Sequence, residues 1–432
     1  MVKKRILVLG AGLAGLSAAW HLQRRGIDCR VFEKENEAGG LCRSREINGF
    51  TFDCSGHLLH FKHRYTSDLV KSLLKGNLTQ HERSAWIHCC GRYSRYPFQA
   101  NLYGLPAQVI RECLLGFIER DKGNTSGNKN SRSFLEWIHQ HFGEGIARHF
   151  MIPYNKKFWT VSPRELTCEW LDGFIPVPSL SQIIEGTVED SQRQFGYNAQ
   201  FWYPKKGGIQ AVVRAFSSRI RDVHTLHEAV NIDIKNKKVY FKNKSSLKYE
   251  ILIFTLPLPE ISNLIKDLPQ DIVDSLRKLR YTSIFNLNLG MDRECLSDKH
   301  WIYFPEKKII FSRVGFPHNF SMHLVPQNAS SLYVEVAYSK EKPINKNTIF
   351  NNILKNLINA GVLKSSDKIL VKDTNDIKYG YIIYDPARKE ALNRIKIFLE
   401  KKDILCLGRY GSWSYKSMED VILDGKRIAD IF

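Results

Sequence analysis

The chain has 432 residues, 43% of them hydrophobic, and carries 64 basic against 44 acidic side chains for a formal charge of +20. That length gives room for roughly two or three domains with a large core, and no apolar run is long enough to span a membrane. The nine cysteines are odd in number and scattered, so neither a disulfide framework nor a metal-binding spacing emerges, and a reducing cytoplasm is the expected setting. The charge excess points to anionic partners. Nucleotides, or weak peripheral contact with an anionic membrane, come ahead of nucleic acid, because the lysines are dispersed in pairs and no nucleic-acid module is visible.

The first element is the apolar run Ile6, Leu7, Val8, Leu9, which leads into Gly10-Ala11-Gly12-Leu13-Ala14-Gly15 and a helix-forming stretch over residues 16 to 22 that Gly26 closes. Gly10 permits the tight turn, Gly12 lets backbone amides approach a pyrophosphate, and Gly15 lets helix and strand pack closely. The helix N-terminus adds amides and a partial positive charge. Glu33 ends the next strand at the spacing where a carboxylate accepts hydrogen bonds from an adenosine ribose. Strand, glycine turn, helix and acid together predict a dinucleotide site.

In the following stretch, Glu37-Ala38-Gly39-Gly40-Leu41-Cys42-Arg43-Ser44, paired glycines let backbone approach the cofactor a second time. Residues 50 to 53 alternate like a strand and end at Ser55-Gly56-His57. Helical periodicity covers 106 to 119 and 134 to 150, with a polar loop over 121 to 133 between them. A short strand at 201 to 204, a helix from Gly207-Gly208 to 220, a hairpin over 230 to 241 and a strand at 251 to 256 restore an α/β pattern. Residues 281 to 340 predict several alternating strands forming a substrate-covering sheet. A late strand at 404 to 408 precedes Arg409 and a final helix from about Glu419. No internal repeat is present.

The motifs GAGLAGL (10 to 16), AGGLCRS (38 to 44), FDCSGHLLHF (52 to 61), RYPFQANLYGLP (95 to 106), FMIPYNKKFWTVSP (150 to 163), FGYNAQFWYPKKGG (195 to 208), WIYFPE (301 to 306) and GRYGSWSY (408 to 415) run nearly end to end. Together they resemble the flavin-dependent UDP-galactopyranose mutases, especially the eukaryotic type, within the amine-oxidase and protoporphyrinogen-oxidase-like FAD superfamily. The resemblance implies an α/β fold. A Rossmann-like FAD-binding domain is expected from residues 1–85, 199–260 and 395–432, an antiparallel substrate-covering sheet from 86–99 and 261–394, and a helical insertion with the nucleotide-base pocket from 100–198.

The resemblance also implies FAD as cofactor, with Gly10, Gly12, Gly15, Glu33, Gly39, Gly40, Ser44, Gly56 and Arg409 at matching positions, and NADPH as a possible reductant. His57 matches the histidine of a loop that moves against the flavin, and Arg83 an arginine supporting that loop. Tyr96, Gln99, Phe150, Met151, Tyr154, Asn155 and Trp159 match uridine-binding residues, as aromatic faces and amides suit a flat base. Arg313, Tyr303, Tyr381 and Tyr415 match residues that hold the diphosphate, and Asn198 and Trp301 match mobile-loop and pocket positions.

Three departures stand out. Phe174 occupies the place of a pyrophosphate-binding arginine, Phe320 replaces a tyrosine, and Glu419 replaces an asparagine. Losing one charge-assisted bond to phosphate costs roughly 1.5–3 kcal/mol, so the diphosphate grip is rebuilt or the substrate differs. Lys205 and Lys206 are candidate replacements. The implied activity is pyranose/furanose ring isomerisation of a uridine-diphosphate sugar, run on reduced FAD through an N5–sugar adduct. The alternative is a net FAD-dependent oxidoreductase acting on a sugar nucleotide or an amine.

Overall fold

The computed structural model describes residues 5–120, 131–171, 174–190 and 199–432. The expected loop at 121–130 and the pocket candidate Asn198 lie outside the described residues. Strand Ile6–Leu9 is buried along its whole length. It is the middle of a five-stranded sheet in the order Ile404–Cys406, Ile251–Phe254, Ile6–Leu9, Cys29–Phe32, Val223–His224, and every pairing is parallel. A parallel sheet is covered on both faces, which is why its central strands Ile6–Leu9 and Ile251–Phe254 read as short continuous apolar runs. Helix Leu13–Arg24 follows directly and packs against the last helix, Met418–Asp430. The Ser17 hydroxyl donates to the Ile422 carbonyl there at 2.8 Å.

A second sheet of seven strands runs in the order Ile369–Ile382, Tyr281–Met291, Ser330–Tyr338, Arg313–Gly315, Trp301–Tyr303, Ala85–Cys89, Arg92–Arg95. The expected antiparallel pairing needs one correction, since Trp301–Tyr303 runs parallel to Ala85–Cys89. The expected alternation fails too. Tyr281–Met291 and Ser330–Tyr338 are buried at nearly every position, because the sheet is covered on both faces. Asn286, Asn288 and Glu335 are therefore buried polar groups inside it.

Helices Ala107–Glu119 and Phe134–Ile146 pack against each other. The helical stretch expected to end at 150 instead passes through a π turn, Ala147–Met151, into helix Ile152–Trp159. Lys157 pins that helix to the second sheet: its buried ammonium donates to the carbonyls of Phe304, Glu306 and Phe311 at 2.6, 2.7 and 3.2 Å. No helix among the described residues is long and apolar enough to cross a membrane.

Candidate active site

The two glycine turns meet at the C-terminal edge of the parallel sheet. Gly10 has φ +98°, and a Cβ on it would lie 2.5 Å from Thr255 Oγ1. A Cβ on Gly15 would lie 2.0 Å from the Gly10 carbonyl, so only glycine permits this strand-to-helix turn. Gly12 pairs with Gly39 across the gap, and a Cβ on Gly12 would meet only Gly40, at 3.9 Å. The result is a bare backbone cradle at a helix N-terminus. Glu33 is buried beside it, accepting Ala11 N–H at 2.8 Å and Glu35 N–H at 3.1 Å. Ser44 is drawn inward: its hydroxyl donates to Asp53 at 2.6 Å and accepts Gln210 N–H at 3.1 Å. Asp53 also receives Tyr203 and Ile209, and burial pushes its carboxyl up to about 6.

Glu335, which lies in none of the motifs above, links two of the predicted site residues. It stands directly opposite Arg313 across the second sheet and accepts two of its N–H groups, at 3.0 and 2.7 Å. The same carboxylate accepts the Ser55 hydroxyl at 2.7 Å and, more loosely, Gly56 N–H at 3.4 Å. Burial opposes ionisation of Glu335, but Arg313, Ser55 and Gly56 outweigh it and hold the carboxyl below its usual range. Gly56 is pressed against Tyr333, where a Cβ would lie 2.3 Å from the phenol oxygen. His57 follows, with Nδ1 3.1 Å from the Ser55 carbonyl. Burial, together with Arg409 and Arg313, pushes its pKa down to about 4, so the ring is neutral near pH 7.

An aromatic row extends from this point. Phe150, Tyr154 and Phe158 lie four residues apart on one helical ridge and stack with centroids 5.2 and 5.9 Å apart. Tyr154 meets Tyr303 at 5.4 Å, Tyr303 meets Tyr96 at 5.3 Å, and Phe158 meets Tyr381 at 4.1 Å. Tyr381 stacks near Tyr415, and the Arg409 guanidinium lies over Tyr415 at 4.6 Å and Tyr381 at 5.2 Å. Arg83 lies over Tyr96 at 4.8 Å. Phe158 was not predicted, although its spacing of four from Tyr154 was the signal. Met151, Asn155 and Trp159 form the neighbouring ridge, which is buried. Asn155 Nδ2 donates to Met151 O at 2.8 Å. Gln99 Nε2 donates to Pro176 O at 2.8 Å. The Gln99 carboxamide oxygen, the indole N–H groups of Trp159 and Trp301, and Arg409 Nε are buried without a hydrogen-bond partner. Trp301 packs on Phe201 and Phe320, on the same face of its strand as Tyr303.

The three departures each have a place. Phe174 meets Tyr415 edge-on at 5.2 Å. Phe320 is buried against Phe201, Tyr203 and His300. Glu419 is 3% exposed; its carboxylate accepts Lys62 and His63 N–H and the Thr66 hydroxyl. Lys205 and Lys206 fall elsewhere: Lys206 N–H donates to Asn77, beyond the C-terminal end of helix Arg64–Leu74, and the Lys205 carbonyl accepts Ser321. No group of three His, Cys, Asp or Glu among the described residues could hold a metal ion.

Known proteins share this fold. A crystal structure of reduced UDP-galactopyranose mutase matches with a TM-score of 0.93 and 28% identity, covering 99% of this chain and 95% of that one. A putrescine oxidase shares the fold at a TM-score of 0.67 and 14% identity, over 99% and 98% of the two chains. Among curated proteins, the zeta-carotene-forming phytoene desaturase of Myxococcus xanthus is 48% identical over 50 residues, 12% of this chain and 10% of that protein. A 4,4'-diapophytoene desaturase (4,4'-diapolycopene-forming) of Methylomonas sp is 42% identical over 160 residues, 37% of this chain and 26% of that protein. The matched segments thus span about a tenth to a quarter of these curated relatives. The family model for flavin containing amine oxidoreductases matches residues 13–357. The bare cradle, the buried acid at its edge and the unpartnered Arg409 Nε fit a flavin dinucleotide. The chain belongs to the flavin containing amine oxidoreductase family, with FAD as its cofactor.

Proposed function

We propose that the chain is a nucleotide-sugar mutase of the UDP-galactopyranose mutase type, interconverting the pyranose and furanose forms of a uridine-diphosphate-linked sugar. The observation that carries this reading is the polarity of the aromatic row. One end gathers Arg313, Arg409 and the phenols of Tyr303, Tyr381 and Tyr415. The other holds stacked rings and Gln99 with an unpartnered carboxamide oxygen. A flat base suits the stacked rings and the amide, and a diphosphate suits the cationic, phenolic end. The likeness to the reduced mutase structure supports the same assignment.

FAD, when bound in its reduced state, supplies the nucleophilic chemistry at the sugar. In this reading the side chains bind, orient and shield. Arg313 and the tyrosines stabilise the departing diphosphate. Neutral His57 places an uncharged ring beside the reacting groups, and the aromatic walls exclude water. No Ser-His or Cys-His pair is required. The test is to offer UDP-sugars to dithionite-reduced and to oxidised enzyme and read product ring size by NMR. Conversion by the reduced form alone, without net electron consumption, is the expected result.

A second reading, a net FAD-dependent oxidoreductase, draws support from the desaturases among the matched relatives and from Phe174 at the phosphate end. Stoichiometric consumption of an electron acceptor per product would decide for it.

A further inference from the structure

Two of the departures at the phosphate end, Phe174 and Glu419, converge on one residue, Lys62. The stretch that begins at His57 ends at Lys62 and His63. Glu419 accepts Lys62 N–H at 3.0 and 2.9 Å and His63 N–H at 2.9 Å, and it receives the Thr66 hydroxyl as well. This clamp fixes the Lys62 backbone against the start of the last helix, four residues beyond Tyr415. The Lys62 side chain then reaches Phe174, with its ammonium 5.6 Å from the ring centroid. That same ring meets Tyr415 at 5.2 Å, and Tyr415 lies under Arg409.

We propose that Lys62 is a phosphate-binding residue of the nucleotide site, its ammonium contacting the substrate's diphosphate from the wall formed by Phe174 and Tyr415. The positive charge that position 174 lacks enters from position 62, and Glu419 is the residue that places it. A cation resting on an aromatic face keeps its charge. Lysine contacts phosphate as a compact point charge rather than as a fork, so the grip is electrostatic and salt-sensitive. The inference rests on the nucleotide reading of the site given above.

The test is calorimetric titration of the FAD-loaded protein with UDP, UMP, uridine and inorganic pyrophosphate, for the wild type, Lys62→Met and Lys62→Arg. Lys62 is exposed, and flavin absorbance reports that each variant is folded. Lys62→Met is expected to weaken UDP and pyrophosphate about tenfold while uridine changes less than about twofold, and Lys62→Arg to restore most of the loss. The salt dependence of UDP binding should be shallower in Lys62→Met. Equal UDP affinity in wild type and Lys62→Met would overturn the role of Lys62 and leave the nucleotide reading standing, as would equal loss of uridine and UDP. A wild-type protein that binds neither uridine nor UDP would remove the nucleotide reading and Lys62's role with it.

Discussion

Glu335 joins Arg313 to the segment that carries His57: one carboxylate accepts Arg313 at 3.0 and 2.7 Å and Ser55 at 2.7 Å. The segment Ser55–His57 and the Arg313 guanidinium are therefore set by one buried acid. A displacement of either changes the field at the other, since Arg313 and Glu335 both act on the His57 ring.

The first prediction follows from that arrangement. Removing one partner of a buried ion pair strands the other charge, at a cost of about 3–5 kcal/mol. Glu335→Ala is expected to lose stability of that order by denaturant unfolding. Arg313→Met in the same chain should recover a large part of the loss, because the stranded charge is gone. Additive losses in the double variant would show that the pair is not coupled.

Gln99 provides the second. Its amide N–H already holds the Pro176 carbonyl at 2.8 Å, while its oxygen is buried without a partner. A uracil edge placed there gives that acceptor a donor. Gln99→Met should weaken UDP and uridine binding equally, by about 1–1.5 kcal/mol, with flavin content unchanged. Affinity unchanged within error for both ligands would remove Gln99 from the base site.

The cofactor cradle was legible in the sequence because its determinants are local: Gly10, Gly12, Gly15 and Glu33 act through backbone shape over fewer than thirty residues. Phe150, Tyr154 and Tyr303 were legible only through resemblance, since helix 152–159 and strand 301–303 meet by tertiary packing. Glu335 was missed for a physical reason. Its pairing with Arg313 depends on sheet register, which neither segment shows alone; the trace left in the sequence is a single charge inside the otherwise uncharged run SSLYVEVAY. Periodicity misled at 281–291 and 330–338, because strands covered on both faces do not alternate.

Lys157 gives the third prediction. Its ammonium satisfies three buried carbonyls on the loop 304–311, although burial pushes its pKa down to about 7. Three carbonyls match the three protons of the charged form. Lys157→Met leaves all three acceptors bare and should cost about 3 kcal/mol. The helix bearing Tyr154 would also loosen from Tyr303, so for the proposed mutase reaction KM should rise more than kcat falls. Unchanged stability would show that water or rearrangement replaces the ammonium.

The last prediction concerns acid. Burial, and then His81, push the His300 pKa down to about 4, and its Nδ1 accepts Ser84 N–H at 2.9 Å, a bond available only while that nitrogen carries no proton. An unfolded histidine titrates near 6.5, so between about 6.5 and 4 the unfolded chain binds a proton that folded His300 refuses. Stability from this group is complete above about pH 6.5 and falls as pH drops toward 4. His57, also lowered to about 4 by burial, adds in the same direction. His300→Asn keeps an acceptor toward Ser84 and removes the titration. Its melting temperature should be lower than wild type at pH 7.5 but decline less between pH 7 and 4.5, whereas parallel declines would assign the acid sensitivity to other groups.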